Sequence, residues 1–265
     1  MISSWLKLPL PAMLAVLVFF FGAIAAFLVL LSFNAQTGGA IRSFRGIVAP
    51  FVGTVAVIFG ILLGFLANDI WDREGRAAAA VRTEADGLLS LIALAATFDL
   101  PRAPLAGAVR SYAETMVTKE WPSMAHGDSA PEAELALDRL LKTIVRLDLS
   151  GAGNSDLHRL LLDAGMAVRA ARNTRLRLSR DESERLKWLL VLALAVTSQI
   201  TVAAVHLHTM RPQIAALTIW TASLIFVIGL FALYAEPFAS PYGVAPDPIK
   251  HVLTLVSGSE IVPKT

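Results

Sequence analysis

The chain has 265 residues, of which 55% are hydrophobic and 17% are charged. Its mean hydropathy is strongly positive, which favours a membrane protein with several spans over a soluble globule. The sequence contains no cysteine, so disulfides, thiol catalysis and cysteine-ligated metals are excluded. The net charge is only +2, but the basic residues are clustered along the chain.

The first long apolar run covers residues 9–33 and contains no charged residue. As a helix it rises roughly 1.5 Å per residue and is long enough to cross the hydrocarbon core of a bilayer. A signal peptide is the competing interpretation, but the run is too long for the apolar region of such a peptide. We therefore predict a membrane span over residues 9–33.

A second span is predicted over residues 47–67. Gly60 and Gly64 lie four residues apart, a spacing that permits another helix to approach closely. Bulky apolar residues on another side follow spacings of three and four: Val55, Ile58, Leu62 and Phe65. These residues either pack against neighbouring helices or line a pore, in which an apolar constriction can act as a gate. The polar and aromatic residues 68–73 that follow are typical of a membrane interface.

Residues 72–185 form a polar insert, which we predict to be a helical domain between the second and third spans. In its first helix, Ala77, Val81 and Leu88 repeat at helical spacing, and Glu84 lies on the same apolar face. A carboxylate on such a face needs a partner or stays neutral. We favour a structural hydrogen bond or ion pair for Glu84; the alternative is a proton or ion site.

Prolines divide the rest of the insert into helices. One helix is predicted to reach about Glu120, where Trp121-Pro122 ends it because the residue before proline avoids the α region. Pro131 is predicted to open the next helix, through Leu149. A further helix, starting near Ser155, is predicted to continue without a break into the third span.

That last helix carries two contrasting faces. Small and apolar residues share one face: Leu160, Ala164, Ala167, Ala171 and Leu178. Basic residues share the opposite one: Arg169, Arg172, Arg180 and Lys187. Such a basic stripe is normally a solvated helix face. The alternative is a vestibule that attracts anions.

The third and fourth spans are predicted over residues 186–205 and 213–235, and residues 236–265 form a tail. In the third span Gln199 is a candidate for a contact between helices or for a position that faces water. Basic residues are dense beside the insert and sparse on the other side, which has only Arg42, Arg45 and Arg211. The positive-inside rule therefore places the insert and both termini in the cytoplasm.

Several kinds of chemistry have no supporting pattern in the sequence. There is no cluster of residues with metal-ligand spacing, no nucleophile elbow and no pair of carboxylates on one helix face. The centres of the spans carry no charge, which argues against a proton-coupled pump. We therefore expect no enzyme, no cofactor, no metal site and no nucleic-acid partner. Passive conduction, or a role in interaction and assembly, remains.

Short motifs in the insert and the tail resemble those of a known family. They are Glu84-Ala85 on an amphipathic helix, Tyr112 leading to Glu120-Trp121-Pro122, and Pro237-Phe238 after the last span. Over residues 50–255 the chain resembles the bacterial bestrophin-like membrane proteins, a family named for a domain of unknown function. It departs from the family pattern at Ala235-Glu236, where Asp-Arg would be usual.

The chain is more distantly similar to the bestrophins, which are pentameric anion channels. Their second span carries three bulky apolar residues at spacing four that form a neck, and Val57, Ile61 and Phe65 keep that spacing here. The resemblance implies a homo-oligomer, a pentamer, in the bacterial inner membrane, with inorganic anions such as chloride or bicarbonate as its cargo. The candidate pore-lining residues are Ile58, Ile61, Leu62, Phe65 and Asp69.

The sequence thus predicts an all-α protein whose four transmembrane helices carry a cytoplasmic helical domain between the second and third spans. The favoured function is an oligomeric anion channel in the lipid bilayer. The alternative is a non-conducting membrane scaffold or regulator that acts through its helical domain.

Overall fold

The computed structural model describes residues 8–43, 49–98, 100, 102–147, 154–180, 184–238 and 243–259. Within these residues the regular structure is helical and no strand occurs, as predicted. The predicted start of the second span (residues 47 and 48), Arg45 and Leu149 lie outside the described residues.

The helices follow one another with short connections. They are α1 (Leu10–Phe33), α2 (Gly38–Arg42), α3 (Ala49–Thr97), α4 (Arg102–Thr115), α5 (Trp121–Met124), α6 (Pro131–Val145), α7 (Asn154–Arg180), α8 (Glu184–Val205), α9 (Met210–Tyr234) and α10 (Asp247–Ser259). Four of them, α1, α3, α8 and α9, contain stretches long and apolar enough to cross a membrane. The four predicted spans fall on these four helices.

The chain divides into two compact units. The membrane unit comprises Met1–Asp72 and Glu182–Glu236, and the helical unit comprises Arg73–Asp181 and Pro237–Thr265. Helix α3 contributes its first part to the membrane unit and its second part to the helical unit.

Apolar side chains from α1, α3, α8 and α9 form the core of the membrane unit. Helices α1 and α9 approach closely at Gly229, where a Cβ atom would lie 3.1 Å from Leu14 Cδ2. The buried amide of Gln199 donates to the Phe21 carbonyl (3.2 Å) and to Thr221 Oγ1 (2.8 Å). Of the two predicted roles for Gln199, the structure shows the contact between helices.

The core of the helical unit draws on α3, α4, α6, α7 and α10. Helices α3 and α7 pack tightly at Gly87, where a Cβ atom would lie only 2.7 Å from Val168 Cγ2. The tail contributes to this core through three residues at helical spacing on α10, which are Ile249, Val252 and Val256. The tail, predicted as a separate segment, is therefore an integral part of the helical unit.

The helix predicted to end near Glu120 instead continues to Met124. Residues Met116–Glu120 form a wider π turn, in which the Trp121 N–H donates to the Met116 carbonyl. Pro122 lacks an N–H and crowds the carbonyl four residues earlier in a regular α-helix. The wider turn accommodates this proline, so the chain stays helical.

One further predicted helix boundary differs from the structure, and another falls outside the described residues. The helix that begins at Pro131 ends at Val145, before the predicted Leu149. Helix α7 ends at Arg180, and the predicted continuity with α8 falls on residues 181–183, outside the described residues.

Candidate functional site

A group of buried charged residues lies at the centre of the helical unit, between α3, α4 and α7. Glu84 on α3 and Arg175 on α7 both have fully buried side chains. The Arg175 guanidinium donates to Glu84 Oε2 through Nε (2.8 Å) and to Glu84 Oε1 through Nη2 (3.0 Å). The Tyr112 hydroxyl donates to Glu84 Oε1 at 2.5 Å. Glu84 is therefore a paired carboxylate, which agrees with the structural hydrogen bond or ion pair favoured for it from the sequence.

Glu120 connects this pair to a second arginine. Arg175 Nη2 donates to Glu120 Oε1 at 2.8 Å, and Arg172 Nη2 donates to Glu120 Oε2 at 2.6 Å. Arg172 also donates through Nη1 to Glu134 on α6, whose own side chain is largely exposed. We call the five residues Glu84, Glu120, Arg172, Arg175 and Tyr112 the charge network. Its two carboxylates and two guanidinium groups balance, so the unit buries no net charge there.

The surroundings shift the pKa values within the charge network in defined directions. Burial raises the pKa of the Tyr112 hydroxyl well above its ordinary value, and the nearby Glu84 carboxylate raises it further. Burial alone would lower the pKa of Arg175, but the charge of Glu84 and the hydrogen bond to it outweigh burial and raise that pKa. Tyr112 is therefore a neutral donor and Arg175 a permanent cation at physiological pH.

Aromatic and sulfur groups close the charge network on its other sides. The Arg175 guanidinium lies 5.7 Å from the ring centre of Trp121, and its Nη1 donates to Met124 Sδ. Trp121 in turn meets Phe238 edge to face, with ring centres 5.6 Å apart. The motif residues Glu84, Glu120 and Trp121 thus contact one arginine, and Tyr112 and Phe238 pack against them through Glu84 and Trp121. Pro237 is buried beside Phe238, whereas Pro122 is exposed.

The sequence did not single out Arg175, and the prediction for Arg172 as part of a solvated face is wrong. Arg172 is 1% exposed, whereas Leu160, predicted on the apolar face of this helix, is 44% exposed. Buried residues of α7 that follow one another at spacings of three or four include both arginines: Leu157, Leu161, Gly165, Val168, Arg172 and Arg175. Two residues predicted on the apolar face, Ala171 and Leu178, are buried as well. The apolar face of α7 was predicted partly from alanines, but alanine occurs on both faces of this helix and does not distinguish them. Because Glu84 was predicted to require a partner, a search for a cation on the other helices of the insert could have suggested Arg175.

The other basic vestibule candidates are not members of the charge network. Arg169 and Arg180 are exposed on α7, and Arg180 donates to Ser129 Oγ at 2.6 Å. Lys187, on α8 in the membrane unit, donates to Asp69 Oδ2 at 2.5 Å. Within the helical unit the three arginine candidates do not share one basic face, because Arg172 is buried while Arg169 and Arg180 are exposed.

In the membrane unit, the pore-lining candidates lie on α3. Val57, Ile61 and Phe65 are all exposed, with Phe65 at 70%. Ile58 is also exposed, whereas Leu62 packs partly against the core of the unit. Gly60 and Gly64 have no atom within 4 Å of a Cβ position, so no described residue covers them. We call Val57, Ile61 and Phe65 the exposed row. The other predicted set of pore-lining residues, at spacings of three and four, contains the partly buried Leu62.

Asp69 follows Phe65 by four residues and pairs with Lys187. Arg73, four residues further along α3, is buried and donates through Nη2 to the Leu178 carbonyl at 2.7 Å. Asp69 and Lys187 are both in the membrane unit, and each side chain remains partly exposed. The carboxylate beyond the exposed row therefore has a cationic partner.

Comparison with known proteins identifies the family of the chain. The model of the Bestrophin-like domain matches residues 14–249. The chain belongs to the bestrophin-like family. The match covers most of the membrane unit and the helical unit and reaches the first turn of α10, so the bestrophin-like domain includes the charge network and the exposed row. No curated protein and no solved structure is significantly similar to this bestrophin-like chain.

Proposed function

We propose that this bestrophin-like membrane protein is a homo-oligomeric anion channel of the bacterial inner membrane. Several copies, five by similarity to the bestrophins, would surround a pore lined by α3. The arginine distribution places the helical unit and both termini in the cytoplasm in this proposal.

The exposed row carries the proposal. A pore lined by α3 requires bulky side chains on this helix that the chain's own core does not use. Val57, Ile61 and Phe65 meet that requirement, because they are exposed while Phe59 and Leu66 on the other side of α3 are buried. A ring of such rows makes a narrow apolar neck, and such a neck restricts ion flow by excluding water.

The pairing of Asp69 supports anions as the cargo. An unpaired ring of carboxylates four residues beyond the neck would repel anions and attract cations. Lys187 lies 2.5 Å from Asp69 and cancels that charge in each copy. Chloride and bicarbonate are the anions that the family resemblance implies.

Ion flux in liposomes tests the proposal, with Phe65→Ala as the variant. We expect this change to widen and wet the neck, so chloride flux rises above that of the wild type. Phe226→Ala is the matched control, because Phe226 lies on α9 and is 71% exposed, close to the 70% of Phe65. Its flux should equal the wild-type value.

The outcome separates the channel from the alternative function. Absence of flux from both the wild type and Phe65→Ala, in assembled oligomers, would reject the channel and leave the non-conducting scaffold. A rise in potassium flux without chloride flux would retain the pore and reject the anion assignment.

A further inference from the structure

A groove between α3 and α7 in the helical unit has the features of an anion-binding site that is distinct from the charge network. It has a volume of about 840 Å³ and a floor of small side chains from both helices: Ala79, Ala80, Ala167, Ala170 and Ala171. The groove exists because the two helices touch at Gly87 and leave space between their alanine faces further along. Alanine side chains are too short to fill that space.

The charged side chains that line the groove are cationic. Arg76 on α3 and Arg177 on α7 line it together with Thr83 and Thr174, and Arg180 lines the adjoining depression next to Arg177. No carboxylate occurs among the described residues that line either space. A concave surface with charges of one sign focuses the electrostatic potential. The groove therefore attracts anions.

The contacts of Arg177 and Arg180 leave the positive charge of these two side chains uncompensated among the described residues. Arg177 donates to Thr174 Oγ1 at 3.2 Å and Arg180 donates to Ser129 Oγ at 2.6 Å, so their partners among the described residues are neutral hydroxyl groups. In the charge network, by contrast, both arginines pair with carboxylates. The hydrogen bond to Thr174 holds Arg177 at the groove without neutralising its charge. The guanidinium therefore remains able to bind an external anion.

We propose that this groove binds the phosphate headgroup of an anionic phospholipid. The groove is much larger than a chloride or bicarbonate ion, and its alanine floor offers apolar contact to the glycerol part of a lipid. Guanidinium groups bind phosphate through paired hydrogen bonds. In the sequence, Arg76 closely follows the second span as predicted over residues 47–67, and Arg177 and Arg180 closely precede the third. Basic clusters next to spans recognise anionic lipids, which favours a lipid over a soluble phosphate compound. This inference does not depend on ion conduction.

Native mass spectrometry of the detergent-purified full chain tests the groove, with phosphatidylglycerol and phosphatidylcholine as probes. The Arg177→Gln/Arg180→Gln variant should bind phosphatidylglycerol at least tenfold more weakly than the wild type. Ala170→Phe should weaken binding similarly, because it fills the groove and leaves every arginine in place. Arg82→Gln is the matched control: Arg82 is exposed on α3 and does not line the groove, so its binding should be unchanged. Phosphatidylcholine should bind the wild type no better than the variants.

Three results would overturn the proposal. The first is equal phosphatidylglycerol binding by the wild type, the double variant and Ala170→Phe. The second is an equal loss in Arg82→Gln, which would show general charge attraction. The third is displacement of phosphatidylglycerol by an equal concentration of glycerol phosphate, which would show a site for a soluble phosphate compound. Lipid-free thermal unfolding of each variant should match the wild type. If the double variant does not, the single variant Arg180→Gln replaces it and should still bind phosphatidylglycerol more weakly than the wild type.

Discussion

The two units of this protein bury polar side chains of different kinds. In the described part of the membrane unit the buried polar side chains are neutral: Ser32, Ser198, Gln199, Gln213 and Thr221. In the helical unit five of them are charged: Arg73 and the four charged members of the charge network. Burying a charge within a bilayer costs much free energy, whereas a buried amide can form hydrogen bonds with hydroxyl groups and helix carbonyls. The helical unit can hold charges because every carboxylate in the network meets a guanidinium.

This difference predicts different consequences when one partner is removed. In the charge network, removal of a charged member deprives a buried charge of a counterion. In the membrane unit, removal of one amide leaves only dipoles without partners. Variants in the two units should therefore differ in the free energy of unfolding that they lose, and the order of the losses tests the comparison.

Arg175→Met should have the largest effect. It leaves the buried Glu84 with only the Tyr112 hydroxyl as a partner and removes one of the two arginines at Glu120. We expect a loss of about 3–5 kcal/mol in the free energy of unfolding, since a buried charge loses its counterion. Thermal or chemical unfolding of the purified protein, followed by circular dichroism, measures the loss.

The double variant Glu84→Leu/Arg175→Met is the control for this prediction. It removes both charges, so it should lose clearly less stability than Arg175→Met alone. Exposed Arg169 provides a second control on the same helix, because Arg169→Met strands no buried charge. Equal losses in Arg175→Met and Arg169→Met would show that the charge network contributes no more than a surface residue.

The comparison also shows what the sequence could predict. The four spans follow from long apolar runs, and the buried position of Glu84 follows from helical spacing on α3. Arg175 could not be assigned in the same way, because its partners Glu84 and Glu120 lie on two other helices, far away in the sequence. The groove between α3 and α7 escaped prediction because its shape depends on where the helices touch. Its alanines are equally suited to a packed interface.

Tyr112→Phe should have the second largest effect. It removes the hydrogen bond to Glu84 and should cost about 2 kcal/mol, as expected for a hydrogen bond to a charged group. The pKa of Tyr112 is raised in the folded protein, so its contribution is complete below the unfolded value of about 10 and is lost as the pH rises above it.

The pH dependence of unfolding therefore separates the wild type from Tyr112→Phe. Stability of the wild type should fall more steeply above about pH 10 than that of the variant, because deprotonation of the unfolded tyrosine favours unfolding. Parallel stability curves from pH 8 to 11 would contradict the raised pKa.

Gln199→Leu tests the membrane unit. It removes the hydrogen bonds to the Phe21 carbonyl and Thr221 and leaves no charge unpaired. We expect a loss of about 1 kcal/mol, in line with hydrogen bonds between membrane helices. Unfolding in mixed micelles measures this loss next to Arg175→Met under the same conditions. A loss as large as that of Arg175→Met would remove the distinction between the units.

Lys187→Gln should have the smallest effect on stability and the clearest effect on ion selectivity. The pair with Asp69 is partly exposed, so its loss should change the free energy of unfolding by less than about 1 kcal/mol. In the proposed channel, however, the variant leaves an uncompensated carboxylate beyond the exposed row in every copy. We expect the reversal potential in a potassium chloride gradient to shift from anion towards cation selectivity.

The double variant Asp69→Asn/Lys187→Gln removes both charges and should restore the wild-type preference. This recovery distinguishes a local electrostatic effect from a general change of the pore, because both variants carry the same change at Lys187. An unchanged reversal potential in Lys187→Gln, with flux still present, would show that ions do not pass near Asp69. The pore would then have to be lined by another face of α3 or by another helix, although the exposed row would remain uncovered by the chain itself.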